Sequence, residues 1–545
     1  MSSEQNSADS SVPTTVFSQG DENEETDAAH IAYNTGIPIS EVLDHSKDAN
    51  AEATSLELKQ KGNDELVAGH YLEAVKLYSE ALEYTPTNAI LLANRAQAYI
   101  KVENYGLAIS DASAAIEQDP SYAKGYYRRA SAYFALNKYK MARKDFRKVC
   151  ALKPKDRDAR AKLAGCEKAV KEEAFSKAIV SEQTEPLSST FKPENIVIDA
   201  DYKGPNPLPD GPTTDMDAEQ ALFRPGKLPM DFVMSSIEYF KDRKVIHKRY
   251  VARLLIACKQ YFEDLSSLME ISIPSEAPQD DVPPRVTVCG DTHGQFYDVL
   301  NIFQLNGYPS PKNPYLFNGD FVDRGSFSVE VILTFLLFKM ACPECIYLTR
   351  GNHETRNMNK IYGFEGEVKA KYDDKIFLLF LEVFSYLPLA ATIENKVFVT
   401  HGGIPATHKV SLDDIRKVKR GCEPPDSGLM SDLLWSDPQP FPGKSPSKRG
   451  VGFSFGPDIT KEFLDHNKLK LLVRSHEVKE EGYLVEHGGL TITVFSAPNY
   501  CDTMGNKGAF IHFDVSLEPK FTKYEAVPHP DVRPMAYAAG MGGLF

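Results

Sequence analysis

A chain of 545 residues is long enough for two or three domains with sizeable cores. Its composition, 42% hydrophobic and 25% charged, is that of an ordinary soluble protein, and its net charge of −14 argues against a general nucleic-acid binder, which would carry a basic surplus. No apolar run approaches a membrane span, and no basic stretch followed by an apolar core opens the chain, so neither a span nor a secretory leader is expected. The eight cysteines are scattered and read as reduced thiols of a cytoplasmic and nuclear protein, with Cys342-Pro343-Glu344-Cys345 an incidental CxxC.

Residues 1–54 hold eleven acids against Lys47 alone, with Ser and Thr runs and few aromatics; they read as a disordered acidic arm. From 55 the chain repeats itself every 34 residues. Tyr71, Tyr105 and Tyr139 recur at that spacing, as do Ala74, Ala108 and Ala142, and Pro86, Pro120 and Pro154. Period and pattern match the tetratricopeptide repeat (TPR), a helix–turn–helix unit, and three units are about the minimum for a stable stack. Residues 158–180 keep a helical period and read as a capping helix, so the all-α repeat domain spans 55–180. Lys59, Asn63, Asn94, Lys124 and Arg128 fall on the first helices of the units, which line the concave face of such a stack.

Residues 181–226, rich in Pro and acids, read as an extended linker. Helical periodicity returns over Met230–Met269, at the start of a second domain spanning 227–526, with 527–545 a C-terminal tail. Within this domain three apolar runs, Arg285–Cys289, Pro314–Phe317 and Cys345–Leu348, read as buried strands. Each leads into a Gly-flanked turn: Gly290-Asp291-Thr292-His293-Gly294, Gly319-Asp320-Phe321-Val322-Asp323-Arg324-Gly325, and Gly351-Asn352-His353-Glu354. Two further strand ends carry His401-Gly402-Gly403 and Arg474-Ser475-His476-Glu477, and Thr491–Phe495 and Phe510–Phe513 supply more strands. Mixed strands with helices between them imply an α/β fold in which a two-sheet sandwich is flanked by helices.

The turns sit where open α/β sheets place their sites, at the C-terminal ends of strands. Their oxygen and imidazole ligands outline a two-metal site, which needs ions about 3.5–4 Å apart and a shared carboxylate. Asp291 and His293 reach one ion, Asp320 is the natural bridge, and Asn352, His401 and His476 complete the second shell. This mixed donor set suits Mn²⁺, Fe²⁺ or Zn²⁺, with Mg²⁺ as an alternative; Mn²⁺ is the expected ion. A water so bound loses its proton near neutral pH and becomes a nucleophile for phosphate esters. Arg324, in the turn after Asp320, can fork onto phosphate oxygens. His353 lies beside Asn352 and either protonates a leaving oxygen, with Asp323 fixing its tautomer, or is an extra metal ligand.

The blocks GDTHG, GDFVDRG, RGNHE, HGG and RSHE, with Ser496-Ala497-Pro498-Asn499-Tyr500 downstream, resemble those of the metal-dependent serine/threonine protein phosphatases, from about Leu228 to Tyr537. With the repeats, the whole chain resembles the TPR-bearing branch of that family. The resemblance implies hydrolysis of phosphoserine and phosphothreonine in proteins, a phosphate-binding role for Arg449, and a pocket-lining role for Tyr500. It also implies that Lys59, Asn63, Asn94, Lys124 and Arg128 form a clamp for the Glu-Glu-Val-Asp tail of a chaperone of the heat-shock protein 90 type. In the resembling enzymes the repeats cover the catalytic groove, which makes Glu103, between the helices of the second repeat, a candidate autoinhibitory carboxylate. The glycines of Ala538–Phe545 disfavour the tail helix that braces the closed form there. Two other readings stay open: a nucleotide or nucleic-acid phosphodiester as substrate, and a non-catalytic chaperone adaptor, although no ligand of the six is missing.

Overall fold

In the computed structural model, residues 51–180, 185–208, 215–278 and 282–538 are described, and the chain divides into two units, 1–172 and 173–545. The acidic arm, up to residue 50, and the glycine-rich end beyond Ala538 lie outside the described residues.

The first unit is helical. α1 (Ala51–Ala68) and α2 (Tyr71–Tyr84), α3 (Ala89–Lys101) and α4 (Tyr105–Gln118), α5 (Ala123–Ala135) and α6 (Tyr139–Leu152) form three antiparallel pairs, and α7 (Arg157–Val180) follows. The recurring Ala74, Ala108 and Ala142 are fully buried, which lets helix backbones approach where a larger side chain would hold them apart. Asn88 starts α3 by accepting from Ile90 and Leu91 N–H at 3.0 and 3.2 Å.

A second 34-residue period, in polar residues, lies inside this stack. Arg95 on α3 is fully buried and forks onto Asp111 on α4 at 2.7 and 2.8 Å, while its third nitrogen donates to Ser79 on α2 at 3.1 Å. One repeat later Arg129 forks onto Asp145 at 2.8 and 3.0 Å and donates to Ser113 at 3.2 Å. Each arginine thus ties the second helix of its own repeat to that of the repeat before. A buried pair left without one partner would be strongly destabilising, so both partners recur together.

The second unit is the expected helix-flanked sandwich. The first sheet contains β1 (Leu268–Ile271), β5 (Ala390–Ile393), β6 (Val397–Thr400), β10 (Leu471–Arg474), β12 (Thr491–Val494) and β11 (Tyr483–Glu486), in that order. The second runs β14 (Lys520–Tyr524), β13 (Gly508–Asp514), β2 (Arg285–Cys289), β3 (Tyr315–Asn318), β4 (Ile346–Thr349). A small third sheet joins β7 (Asp437–Pro438), β9 (Phe453–Phe455) and β8 (Lys444–Pro446). Val286, Val288, Leu316, Ile511 and Phe513 from one sheet meet Val397, Val399, Val473, Ile492 and Val494 from the other. The outer face of the second sheet is covered by helices including Met230–Lys241, Lys248–Asp264, Ser328–Ala341 and Asp374–Tyr386.

Parallel pairing positions the site. β2, β3 and β4 run parallel, with Val288 opposite Leu316 and Leu316 opposite Tyr347. β6, β10 and β12 run parallel in the other sheet. A bridge between Asp291 and Phe495 brings the two sets of C-terminal ends together.

Two expectations are corrected. The described part of 181–226 is not an extended linker, because apolar residues between its prolines have a core to enter. Leu187, Phe191, Ile196, Ile198 and Tyr202 pack on the helical core. Glu382 caps Leu187 and Ser188 N–H at 2.6 and 3.1 Å, and the buried Glu219 pairs with Arg249 and Arg253 at 2.7 and 2.5 Å. Cys342 and Cys345, expected as thiols, are joined in a disulfide; their turn brings the Cα atoms to 5.4 Å, within bridging reach.

Candidate active site

Five strand ends deliver the predicted ligands into one buried space. Asp291 and His293 follow β2, Asp320 follows β3, Asn352 follows β4, His401 follows β6 and His476 follows β10. His293, Asp320 and His476 all have left-handed backbone (φ +40°, +50° and +72°), an uncommon conformation that packed surroundings hold at functional sites. Gly319 just before Asp320 has φ +81°, and a Cβ there would stand 2.6 Å from Gly351 and 2.8 Å from His401 Nδ1.

The donor atoms converge as two groups that share Asp320. His293, Asp320 and His353 form one, and Asp320, His401 and His476 the other, with the ligand atoms of each within 4.8 Å of one another. Asp291 joins the first: its Oδ2 is 3.7 Å from His293 Nε2, which is also 3.6 Å from Asp320 Oδ2. Asn352 joins the second, with Oδ1 2.9 Å from His401 Nε2; that nitrogen lies 3.2 Å from both Asp320 Oδ2 and His476 Nδ1.

Tautomers test whether metal ions fit here. His293 Nδ1 donates to Val322 O at 3.1 Å and His401 Nδ1 to Asn318 O at 2.9 Å, so both Nε2 atoms face the site as lone pairs. A lone pair of His401 then opposes a carbonyl oxygen at 2.9 Å, which repels unless a cation lies between. The buried Nε2 of His476 has no hydrogen-bond partner among the described residues. Burial above all pushes the carboxyls of Asp291 and Asp320 up to about 7, with the Asp320 charge adding to Asp291, and burial with the nearby His401 takes the His293 imidazole down to about 3. These are groups that lack the positive charge their geometry is built around, and divalent cations fit them.

The residues around the ligands are equally fixed. His353 Nδ1 meets Asp323 Oδ2 at 2.9 Å, which leaves Nε2 for the site; Asp323 also accepts from Asn359 and from Phe364 N–H, at 3.1 and 3.0 Å. Burial, then the neighbouring His293 and Arg324, drive the His353 pKa well down. Arg324 lies with its guanidinium 3.7 Å over the Tyr362 ring. Tyr500 sets its ring 5.1 Å from that of His293. Arg449 donates to Asp437 and to His476 O, each at 2.7 Å. Burial raises Asp437, but Arg449, Lys448 and Arg474 outweigh it and hold the carboxyl below the usual range.

Several supporting residues were given no role by spacing alone. Glu354 is fully buried and accepts from Asp320 N–H and Gly351 N–H through Oε2 (2.9 and 2.8 Å) and from Phe321 N–H through Oε1 (2.8 Å). It stitches two ligand turns together, and its signal was its place at the end of RGNHE. Arg474, in the RSHE block, donates to Asp437 and Glu477, each at 2.8 Å. Asp437 was silent in the spacing because its partner Arg474 is 37 positions away, whereas Glu477 lies in the same RSHE block.

In the repeat unit the five clamp positions fall on α1, α3 and α5 as expected. Asn63 Oδ1 accepts from Asn94 Nδ2 at 3.0 Å and from Tyr78 at 2.8 Å. Two further cations lie near Arg128. Burial, then the Arg128 and Lys162 charges, lower the pKa of Lys101, and burial lowers that of Lys162 despite Asp158 at 3.5 Å. Glu103 stands in the turn between α3 and α4 with φ +63°.

Comparison with known proteins agrees with this arrangement. The profile for calcineurin-like phosphoesterases matches residues 284–480, that for the PPP5 TPR repeat region 163–270, and that for the tetratricopeptide repeat 123–156. The chain is 50% identical to serine/threonine-protein phosphatase 5 of Homo sapiens over 484 residues, which is 88% of this chain and 92% of that one. It is 49% identical to serine/threonine-protein phosphatase 5 of Arabidopsis thaliana, over 92% of this chain and 99% of that one. A solved structure of a protein serine/threonine phosphatase from Saccharomyces cerevisiae, with similarity to human phosphatase PP5, matches with a TM-score of 0.54 and 44% identity, over 57% of this chain and 100% of that one.

Replacing Asp320 with Asn should lower bound divalent metal in the purified chain, because a neutral amide cannot serve two cations as a carboxylate can. Elemental analysis showing unchanged metal content would remove Asp320 from the shared position.

Proposed function

Since this chain belongs to the serine/threonine-protein phosphatase 5 family and is a metal-dependent serine/threonine phosphatase with a TPR domain, we propose that it hydrolyses phosphoserine and phosphothreonine in proteins at a binuclear centre, and that its repeats recruit a chaperone and restrain the site. The observation that carries the binuclear reading is the shared Asp320 between two buried donor groups. When bound there, divalent cations, Mn²⁺ foremost, would lower the pKa of water to supply a nucleophile and offset charge on the phosphate.

The chain's own residues do the rest. Asp291, His293 and Asp320 would hold one ion, and Asp320, Asn352, His401 and His476 the other. Arg324 and Arg449 orient the phosphate by charge-assisted hydrogen bonds, with Tyr500 lining the pocket. His353, its Nδ1 proton on Asp323, delivers a proton from Nε2 to the leaving oxygen. On this reading His353→Asn keeps its metals and loses about 10²–10⁴-fold in turnover of phosphopeptides. The loss is smaller for aryl phosphates, whose leaving groups need less protonation, and equal losses on both substrates would contradict the acid role.

The convergence of Lys59, Asn63, Asn94, Lys124 and Arg128 on first helices supports a carboxylate clamp for a peptide ending in Glu-Glu-Val-Asp, the tail of a chaperone of the heat-shock protein 90 type. Arg128→Ala should weaken binding of such a peptide by about 1.5–3 kcal/mol, the worth of a charged hydrogen bond. Wild-type affinity by calorimetry would refute the clamp.

For restraint, Glu103 is the carboxylate that would compete with phosphate. Removing residues 1–181 should raise phosphopeptide turnover, and Glu103→Ala in the full chain should reproduce part of the rise. If the shortened protein turns over no faster, the repeats recruit without restraining.

A further inference from the structure

The turn that carries Arg324 is gripped from outside the ligand motifs. Asp323 and Arg324 are consecutive non-glycine residues with left-handed backbone, φ +72° and +71°. Such a pair persists only where its surroundings fix it. Part of the grip is local: Arg324 N–H donates to Tyr362 O at 3.1 Å, and the guanidinium stacks on that ring. A further part comes from residues 527–538, more than two hundred positions away.

Met535 N–H donates to Arg324 O at 2.8 Å, and Arg324 Nη1 lies 3.7 Å from Met535 Sδ. Two residues on, Ser326 Oγ donates to Arg533 O at 2.7 Å and accepts from Ala536 N–H at 3.3 Å. The Met535 side chain packs on the cluster of Met358, Ile361 and Tyr362, against which Trp435 also packs, and the Trp435 ring stands 5.7 Å from that of His476. The segment is anchored along its length. Asp298 accepts from Val527 N–H at 3.0 Å, His529 pairs with Asp502 at 3.1 Å, and the Tyr537 carbonyl lies where any side chain at Gly366 would collide.

We propose that Met535, carried on this C-terminal strap, is a positioning residue for phosphate binding: it holds the Arg324 guanidinium against Tyr362 in one orientation. A thioether suits the task. It accepts weakly, so it steers the guanidinium without neutralising it, where a carboxylate would compete with the phosphate. The proposal rests on Arg324 as a phosphate ligand, and the test separates the two.

The full-length, Mn²⁺-loaded chain and its Met535→Ala, Met535→Leu, Arg324→Ala and doubly substituted Arg324→Ala/Met535→Ala forms are compared for kcat and KM on an aryl phosphate, for inhibition by inorganic phosphate, and for melting temperature. Met535→Ala should raise KM and the phosphate inhibition constant about tenfold, the scale on which loosened positioning acts, with a smaller change in kcat. Met535→Leu, which keeps the packing without the sulfur, should restore the melting temperature but little of the lost phosphate affinity, and Met535→Ala should add nothing once Arg324 is Ala. Unchanged phosphate inhibition in Met535→Ala, beside a clear loss in Arg324→Ala, overturns the proposal alone, as does an equal effect of Met535→Ala with and without the arginine. Unchanged inhibition in Arg324→Ala overturns the role of Arg324 and the proposal with it. Should Met535→Ala not fold, Met535→Leu carries the test: weakened phosphate inhibition at an unchanged melting temperature is expected, and unchanged inhibition overturns the strap's role.

Discussion

The second unit is organised around a repulsion. Two carboxylates, an amide oxygen and several imidazole lone pairs are buried together with 2.9–3.7 Å between facing atoms. With the carboxylates ionised and the imidazoles neutral, none of the facing atoms has a proton to offer, because His293 and His401 spend their N–H groups on backbone carbonyls. A cluster of this kind is costly for the bare fold and is held only by rigid surroundings. The parallel ends of β2, β3 and β4, the facing ends of β6 and β10, and the Glu354 carboxylate beneath Asp320 supply that rigidity. The left-handed backbone at His293, Asp320 and His476 is where the resulting strain collects.

Much of this was legible from residue order alone. Each ligand follows a short apolar run and sits beside glycine, and both signals are local. The repeats were equally plain, since Tyr71, Tyr105 and Tyr139 announce their own period. What escaped notice depends on partners far apart in sequence. Asp437 gains its meaning from Arg449 and Arg474, and Met535 from Arg324. The described residues of 187–222 misled for a different reason: their prolines say nothing of whether the apolar residues between them find a core. The Cys342–Cys345 bridge depends on turn geometry that composition does not encode.

The cationic side chains of the repeat unit show how burial sharpens a weak signal. Lys59 or Asn63 alone is an ordinary polar residue on a helix. Asn63 and Asn94 share a hydrogen bond, and nearby Lys101 is lowered by burial and by the Arg128 and Lys162 charges, so cations crowd one face of the stack.

The Ser–Arg–Asp ladder through the repeats bears on how such a stack can change in length. Arginine and aspartate of each buried pair belong to one repeat, and only the serine comes from the neighbour. A 34-residue cassette therefore enters or leaves charge-neutral, and the junction it vacates misses a hydroxyl contact at most. The ends obey the same logic. The positions one period before Arg95 and Asp111 hold Lys61 and Leu77, and the position one period after Arg129 holds Leu163, so neither terminus carries half of a pair. Growth or loss by whole units is thereby neutral for the interior, whereas a deletion cutting between α3 and α4 would strand Arg95 in the core.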